Sequence, residues 1–143
     1  MILSLFVLSA CNSTPENTSK AELTDITQLI EKAKRRYPVG VRGTFRMPIK
    51  ASGNVRGVVY LNSNLDYREA SNVSVVLAPS VAKSFTDSNG ITPESYFIGK
   101  TIEVMGKVER VKTYFFENGK RTKKYYFQTQ LKVNSLEKIK VLS

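Results

Sequence analysis

Hydrophobic positions change their period twice along the chain. Leu23, Ile26, Ile30, Ala33 and Tyr37 recur at helical spacing and form one apolar stripe. Ser19-Lys20-Ala21-Glu22 ahead of them has the form of a capping box, with Ser19 accepting from a helix N–H and Glu22 reaching back. Lys32, Lys34, Arg35 and Arg36 crowd the last turns, where cations complement the helix dipole, and Pro38 stops the element. The pattern predicts an amphipathic helix over residues 20–37. Such a basic helix either packs its stripe on a core or lies on a membrane surface.

Beyond Pro38 the period falls to two. Val41, Phe45, Met47 and Ile49 share one strand face, and Arg42, Thr44, Arg46 and Lys50 share the other, with Gly43 placed for a bend or bulge. A turn is expected around Ala51-Ser52-Gly53-Asn54, leading into a strand over 55–61. Val73 to Ala78 is an apolar run suited to a buried strand, closed by Pro79. Residues 80–98 read as a short helix or loop, with turn chemistry at Asp87-Ser88-Asn89-Gly90 and a helical start near Thr92-Pro93-Glu94.

The clearest local signal is a long hairpin. Ile102, Val104 and Val108 point inward against Glu103, Lys107 and Glu109. Asn118-Gly119 supplies a type I′ turn. The return strand alternates Tyr125, Phe127, Thr129, Leu131 and Val133 with Tyr126, Gln128, Gln130 and Lys132. Leu136, Ile139 and Val141 offer a last apolar segment to the core.

Three strands, a helical insertion and a hairpin follow the order β-β-β-α-β-β, the connectivity of a five-stranded, partly open OB-fold barrel. Gly57-Val58-Val59-Tyr60-Leu61-Asn62-Ser63, with Asp66-Tyr67-Arg68 and Val73-Ser74-Val75-Val76-Leu77, resembles a segment of small OB-fold domains in bacterial exported proteins. The stretches from Gly99 to Val108 and from Ser135 to Leu142 are similar to the fourth and closing strands of those domains. The resemblance spans roughly residues 39–142 and implies a mainly β, OB-fold-like barrel preceded by the helix. Its relatives bind nucleic acid or sugars, or have no known ligand, so it implies a fold more than a function.

The first ten residues, Met-Ile-Leu-Ser-Leu-Phe-Val-Leu-Ser-Ala, are mostly apolar and end at Cys11, the single cysteine. A bilayer-spanning helix needs about twenty residues, so this run suits a secretory signal better than a transmembrane segment. Leu8-Ser9-Ala10-Cys11 resembles the bacterial lipobox, although no Lys or Arg precedes the apolar run. That resemblance implies cleavage before a lipid-bearing Cys11 and attachment to a membrane of the cell envelope. With Asn12 after the cysteine, it implies the outer-membrane or periplasmic side in a diderm cell. The other reading is a buried N-terminal element with a core cysteine. Residues 12–20, rich in Ser, Thr and Asn, read as a tether and give such an element little to pack against. The organisation expected is a signal over 1–10, a tether over 11–19, the helix over 20–37 and the β-domain over 38–143.

About 130 residues remain after residue 10, enough for one domain. All of the +10 net charge lies in that part, which attracts polyanions or anionic membrane. No histidine is present, excluding Ser-His-Asp and Cys-His catalysis and histidine-ligated metals. With one cysteine, no disulfide or thiolate cluster forms within the chain. Ser80-Val81-Ala82-Lys83 has the Ser-x-x-Lys spacing of penicillin-binding enzymes but lacks their companion motifs. Gly99-Lys100-Thr101 lacks the upstream glycine of a P-loop, and Glu103 and Glu109, which have the same strand parity and could share a face, are expected to serve as cross-strand partners for basic residues. No cofactor, metal or catalytic residue is expected.

Cations interleaved with aromatics suit a nucleic-acid or other polyanion surface, and the OB groove is formed by the loops and strand face around such a hairpin. The candidate ligand residues are Lys112, Tyr114, Lys120, Arg121, Lys123, Lys124 and Tyr126. Arg42, Arg46, Arg56 and Tyr60 join them if they face the same side. Tyr67 and Arg68 either mark a ligand site or form a corner held by Asp66. Lysines on edge strands also prevent aggregation, and cross-strand aromatics also stabilise hairpins. The function expected is a non-catalytic, membrane-anchored binding module with a basic face for an anionic polymer or an envelope protein. The alternatives are a structural or assembly lipoprotein, single-stranded nucleic-acid binding during uptake and, last, a cryptic hydrolase.

Overall fold

The computed structural model describes residues 22–143. The signal segment, Cys11, the tether, Ser19 and the first two positions of the expected helix lie outside the described residues. The first element, α1 (Ile26–Arg35), starts later than the capping box at Ser19 predicts. Its cap is Asp25, whose carboxylate accepts the Gln28 N–H at 3.0 Å. The delay has a cause: Thr24 is held by the sheet, donating its N–H to the Arg46 carbonyl at 2.9 Å and accepting the Arg46 N–H at 2.8 Å. Leu29, Ile30 and Ala33 are buried, whereas Leu23 and Tyr37, at the two ends of the expected stripe, are exposed.

The rest is mainly β. β1 (Val41–Pro48), β2 (Ala51–Val55), β3 (Val58–Asn62) and β4 (Val73–Leu77) precede α2 (Pro79–Asn89) and α3 (Pro93–Tyr96). β5 (Thr101–Glu117), β6 (Lys120–Val133), a 3₁₀ turn (Leu136–Lys138) and β7 (Ile139–Val141) follow. The hydrogen-bonded order is β1-β5-β6-β4-β3-β2, with β7 also on β5. β4 runs parallel to β6, and the other pairs are antiparallel.

Seven strands stand where five were expected, and the ladder ends at β1 and β2 rather than closing on itself. The two surplus strands have identifiable sources. The expected first strand continues past Ile49-Lys50 as β2 with a new partner, and β7 adds a short strand to the edge of β5 opposite β1. The turn expected at 51–54 is therefore strand. The reversal lies at Arg56-Gly57, whose φ angles of 51° and 87° match a two-residue hairpin turn. Gly43 carries no bulge: it pairs in unbroken register with Gly106, beneath the Phe45 ring. Pro79 opens α2 rather than merely closing β4, as a residue without a donor can at the first helical position.

The inward faces of the strands build the core. Phe45, Met47 and Ile49 from β1 and the following residue meet Leu61, Val75, Leu77, Val104 and Leu131, all buried. α1 packs on β1 and β5, and α2 packs on β3. No helix among the described residues is long and apolar enough to cross a membrane.

Gly40 admits the chain into β1 with φ 86°, and an added Cβ would lie 2.6 Å from the Val108 carbonyl oxygen. Gly40→Ala combines left-handed strain with a backbone clash. It should destabilise the domain by about 2–3 kcal/mol in urea unfolding, whereas an effect below about 0.5 kcal/mol would contradict this placement.

Candidate functional site

β5 and β6 outlast their neighbours. β1 pairs with β5 only as far as Val108, and β4 pairs with β6 only from Thr129. From Val111–Gln128 outward the ladder is two strands wide. An isolated two-stranded ribbon is marginal in water, so its side chains must hold it. Asn118 and Gly119 close it with φ of 49° and 74°, as the Asn-Gly pair predicts. Between Tyr114–Tyr125 and Phe116–Arg121 the register shifts. There the Thr122 hydroxyl donates to the Phe115 carbonyl at 2.8 Å and accepts the Lys124 N–H at 3.2 Å.

One face of the ribbon continues the parity of the core: the pairs Val108–Leu131, Arg110–Thr129, Lys112–Phe127 and Tyr114–Tyr125 follow one another outward. Beyond the core these positions form an aromatic ladder. Tyr37, at the end of α1, meets Phe127 edge-on at 5.6 Å, Phe127 meets Tyr125 at 5.7 Å, and Tyr125 meets Tyr114 at 5.9 Å. The Arg110 guanidinium lies 3.7 Å from the Phe127 centroid, Lys112 Nζ 4.4 Å from Tyr125, and the Arg121 guanidinium 4.1 Å from Tyr114. Among the described residues none of the three cations has a carboxylate within 4 Å. Each ring pair contributes about 0.5–1.5 kcal/mol and each exposed cation–ring contact about 0.5–1 kcal/mol, enough to stiffen a marginal ribbon. A guanidinium laid on a ring keeps its N–H edge for an anion.

The opposite face is different. With β2, β3, β4 and the loop bearing Tyr67, it walls a cavity of about 370 Å³. Tyr60, Tyr67 and Tyr126 flank it, with Asn62, Thr113 and Gln128 among the other lining residues. Its hydrogen bonds are ordered. The Asn64 N–H donates to Asn72 Oδ1 at 3.0 Å, which turns Asn72 Nδ2 toward Ser74 Oγ at 3.0 Å. Ser74 Oγ donates to Asn62 Oδ1 at 2.7 Å. Gln130 Nε2 donates to Gln128 Oε1 at 2.8 Å, and Gln128 Nε2 donates to the Tyr126 hydroxyl at 3.0 Å. Burial, reinforced by the Tyr67 and Tyr60 phenols, raises the Tyr126 hydroxyl above the usual tyrosine pKa against the opposing effects of Arg68 and Gln128. Tyr126 therefore stays neutral at ordinary pH.

The residues singled out from sequence do not form one surface. Lys112, Tyr114 and Arg121 belong to the aromatic ladder, whereas Tyr60 and Tyr126 face the cavity. Lys120, Lys123 and Lys124 are exposed near the turn. Arg42 lines a shallow groove with Lys32, Arg36 and Lys107. Arg46 is committed to Glu103 at 2.7 Å across the β1–β5 register. Lys140 reaches the same carboxylate at 3.2 Å. Lys140, with Arg46, holds the Glu103 carboxyl below its usual range against the opposing effect of burial. Arg56 is exposed on the β2–β3 turn.

Several smaller expectations change. Asp66 accepts the backbone N–H of Arg68 at 2.9 Å while the guanidinium lies 4.9 Å from the Tyr67 ring, so no Asp66–Arg68 ion pair holds the corner. Glu109 pairs with Lys107 on its own strand rather than across the sheet, because cross-strand Gln130 carries no charge. Ser80 and Lys83 are exposed on α2, and Lys83 is paired with Asp87. Among the described residues there is no cluster of three or more His, Cys, Asp or Glu that would suit a metal.

Sequence reasoning passed over Tyr37, Arg110 and Phe127 as ladder members, and Asn62, Ser74 and Gln128 in the cavity. Strand parity with Lys112 and Tyr125 marks Arg110 and Phe127. No local pattern marks the cavity residues, which come together only through the β2–β3–β4–β6 pairing.

No protein-family model matches the chain, and no curated protein matches it. Among solved structures, the aspartyl tRNA synthetase from Entamoeba histolytica aligns with 100% of this chain at 15% identity, with a TM-score of 0.46. The chain spans 26% of that protein's length.

Proposed function

We propose that the chain is a non-catalytic binding module of OB type, held at the cell envelope by lipid on Cys11, which grips an anionic polymer. The order β-β-β-α-β-β supports the fold reading, with β1 and β2 taken as two halves of one first strand and β7 as an addition. In a diderm cell the module faces the periplasm or sits on the outer membrane. The lack of histidine and the pairing of Glu103 and Glu109 with cations favour binding over catalysis.

One observation carries the ligand reading. Arg110, Lys112 and Arg121 stack on an aromatic ladder, and none has a carboxylate within 4 Å among the described residues, Glu31 being felt by Arg110 only at longer range. Purely structural cations on a ribbon edge would be equally stable paired with acids across the strands. Here the rings hold the cations in place and their charge is left for an external anion.

The probe is a fluorescein-labelled oligothymidylate followed by anisotropy. Binding should weaken with salt, and the Lys112→Ala/Arg121→Ala variant should lose about tenfold in affinity at low salt. Its slope of log K against log salt should fall by about 1.4, the value for two phosphate contacts on a single strand. Tyr60→Ala, on the other face, should leave the curve unchanged. Salt-independent binding, or a double variant with wild-type affinity, would contradict the proposal. For the anchor, palmitate labelling in bacterial cells should vanish in Cys11→Ser; label that persists would remove Cys11 from the account.

A further inference from the structure

We propose that the outward face of β1 and β5 beside α1, built on Lys32, Arg36, Arg42 and Lys107, docks the domain on an anionic lipid surface. The proposal rests on the reading of Cys11 as the lipid-bearing residue. It concerns a face that neither the aromatic ladder nor the tyrosine-flanked cavity uses.

Lys32 on α1 and Arg36 at its C-terminal cap stand one turn apart. They meet Arg42 and Lys107 across the shallow groove, whose volume is about 490 Å³. Arg42 and Lys107 are direct partners in the β1–β5 register, where like charges repel. Glu109 engages Lys107 at 2.6 Å. Among the described residues Lys32, Arg36 and Arg42 have no carboxylate within 4 Å. No ring is among the lining residues, so the groove offers nothing for a base to stack on. What it offers is exposed charge, crowded in a way that an external anionic surface relieves.

Apolar side chains stand out among these cations. Val39 is 69% exposed in the groove, and Met105, two residues before Lys107 on the same side of β5, is 56% exposed. One exposed apolar residue alone is ordinary. Val39, however, is held outward by its backbone. The Arg36 carbonyl accepts both the Val39 N–H at 2.7 Å and the Gly40 N–H at 3.1 Å. Gly40 in turn lies so close to β5 that a Cβ would meet the Val108 carbonyl oxygen. Cations around fixed apolar points have the composition of an interfacial membrane site: charges meet headgroup phosphates and apolar groups enter the acyl boundary.

The chain also enters the domain at this strand. Thr24 is hydrogen-bonded to Arg46, on β1 with Arg42. Thirteen residues separate Thr24 from Cys11, a span of at most about 45 Å. Arg46 pairs with Glu103 near the start of β5, whereas the strand ends at Glu117, roughly 45 Å further along. Docking here holds the root of β5 at the lipid and leaves the ladder clear of it.

The test is co-sedimentation with vesicles of residues 11–143 carrying Cys11→Ser, a form without signal or lipid that contains every described element. It should bind vesicles of phosphatidylglycerol and phosphatidylcholine but not pure phosphatidylcholine. Lys32→Ala/Arg42→Ala, at exposed positions, should weaken binding about 25-fold, at about fivefold for each cation near the surface. Lys112→Ala/Arg121→Ala removes the same charge from the ladder and should weaken it less than about threefold. Val39→Ser/Met105→Thr should weaken it about fivefold with no change in charge. Equal losses in the two charge variants would overturn the inference and assign binding to overall charge. So would unchanged binding in Val39→Ser/Met105→Thr. Release from the vesicles by glycerol phosphate at about 5 mM would also overturn it and assign the groove to a soluble phosphate. Because the vesicle measurement needs no lipid on Cys11, docking without palmitate labelling would remove the anchor and leave this face standing.

Discussion

The architecture depends on one change of partner in the backbone. At Ile49 the chain still belongs to the β5 side: its N–H donates to the Lys100 carbonyl and its carbonyl accepts the Gly99 N–H, both at 2.8 Å. One residue later the Lys50 N–H donates to the Asn62 carbonyl at 2.9 Å, and β2 runs on along β3. The two ends of the hydrogen-bonded path are thereby joined covalently, around a core in which Ile49 is fully buried. Pro48 fits here at no cost to the ladder. The Thr101 N–H and carbonyl opposite it are engaged by Ser143 and Leu142, so no donor is missed.

That hand-over places β3 and β4 beside the root of the long hairpin and gives the hairpin two unlike faces. Alternation along β5 and β6 is a rule of side-chain direction, not of chemistry. The parity that buries Val108 and Leu131 emerges from the core as Arg110, Lys112, Tyr114, Tyr125 and Phe127. The other parity carries Thr113, Tyr126 and Gln128, which meet Tyr60 and Asn62. The cation–ring and ring–ring contacts, each worth roughly 1 kcal/mol, do not distinguish structural from binding roles by size. What distinguishes them is what the ladder leaves unused, its charge.

Local features were the legible ones. The hairpin, its Asn118-Gly119 turn, the inward set Ile102, Val104 and Val108, and the buried run Val73–Leu77 all follow from period and turn chemistry. What escaped was set by tertiary contact. Thr24 pairs with Arg46 and so postpones the helix, although the residues before it satisfy a helix start on paper. The β2 segment lacks the alternation of a half-buried strand, with Gly53 and Asn54 imitating a turn, and only its ladder with β3 makes it a strand. The cavity was illegible because its residues come from five strands and a loop. The cations were visible one by one, but Arg46 could be separated from Lys112 only by finding Glu103 opposite it in the register.

The central claim is that the ladder face of the hairpin meets the anionic ligand. Backbone amide NMR during titration with an oligothymidylate tests it most directly. The account predicts saturating shifts at Tyr37, Arg110, Lys112, Tyr125 and Phe127, with Tyr60 and Asn62 unmoved. Shifts centred on the Lys32, Arg36 and Arg42 groove, or on Tyr60 and Asn62, would contradict it.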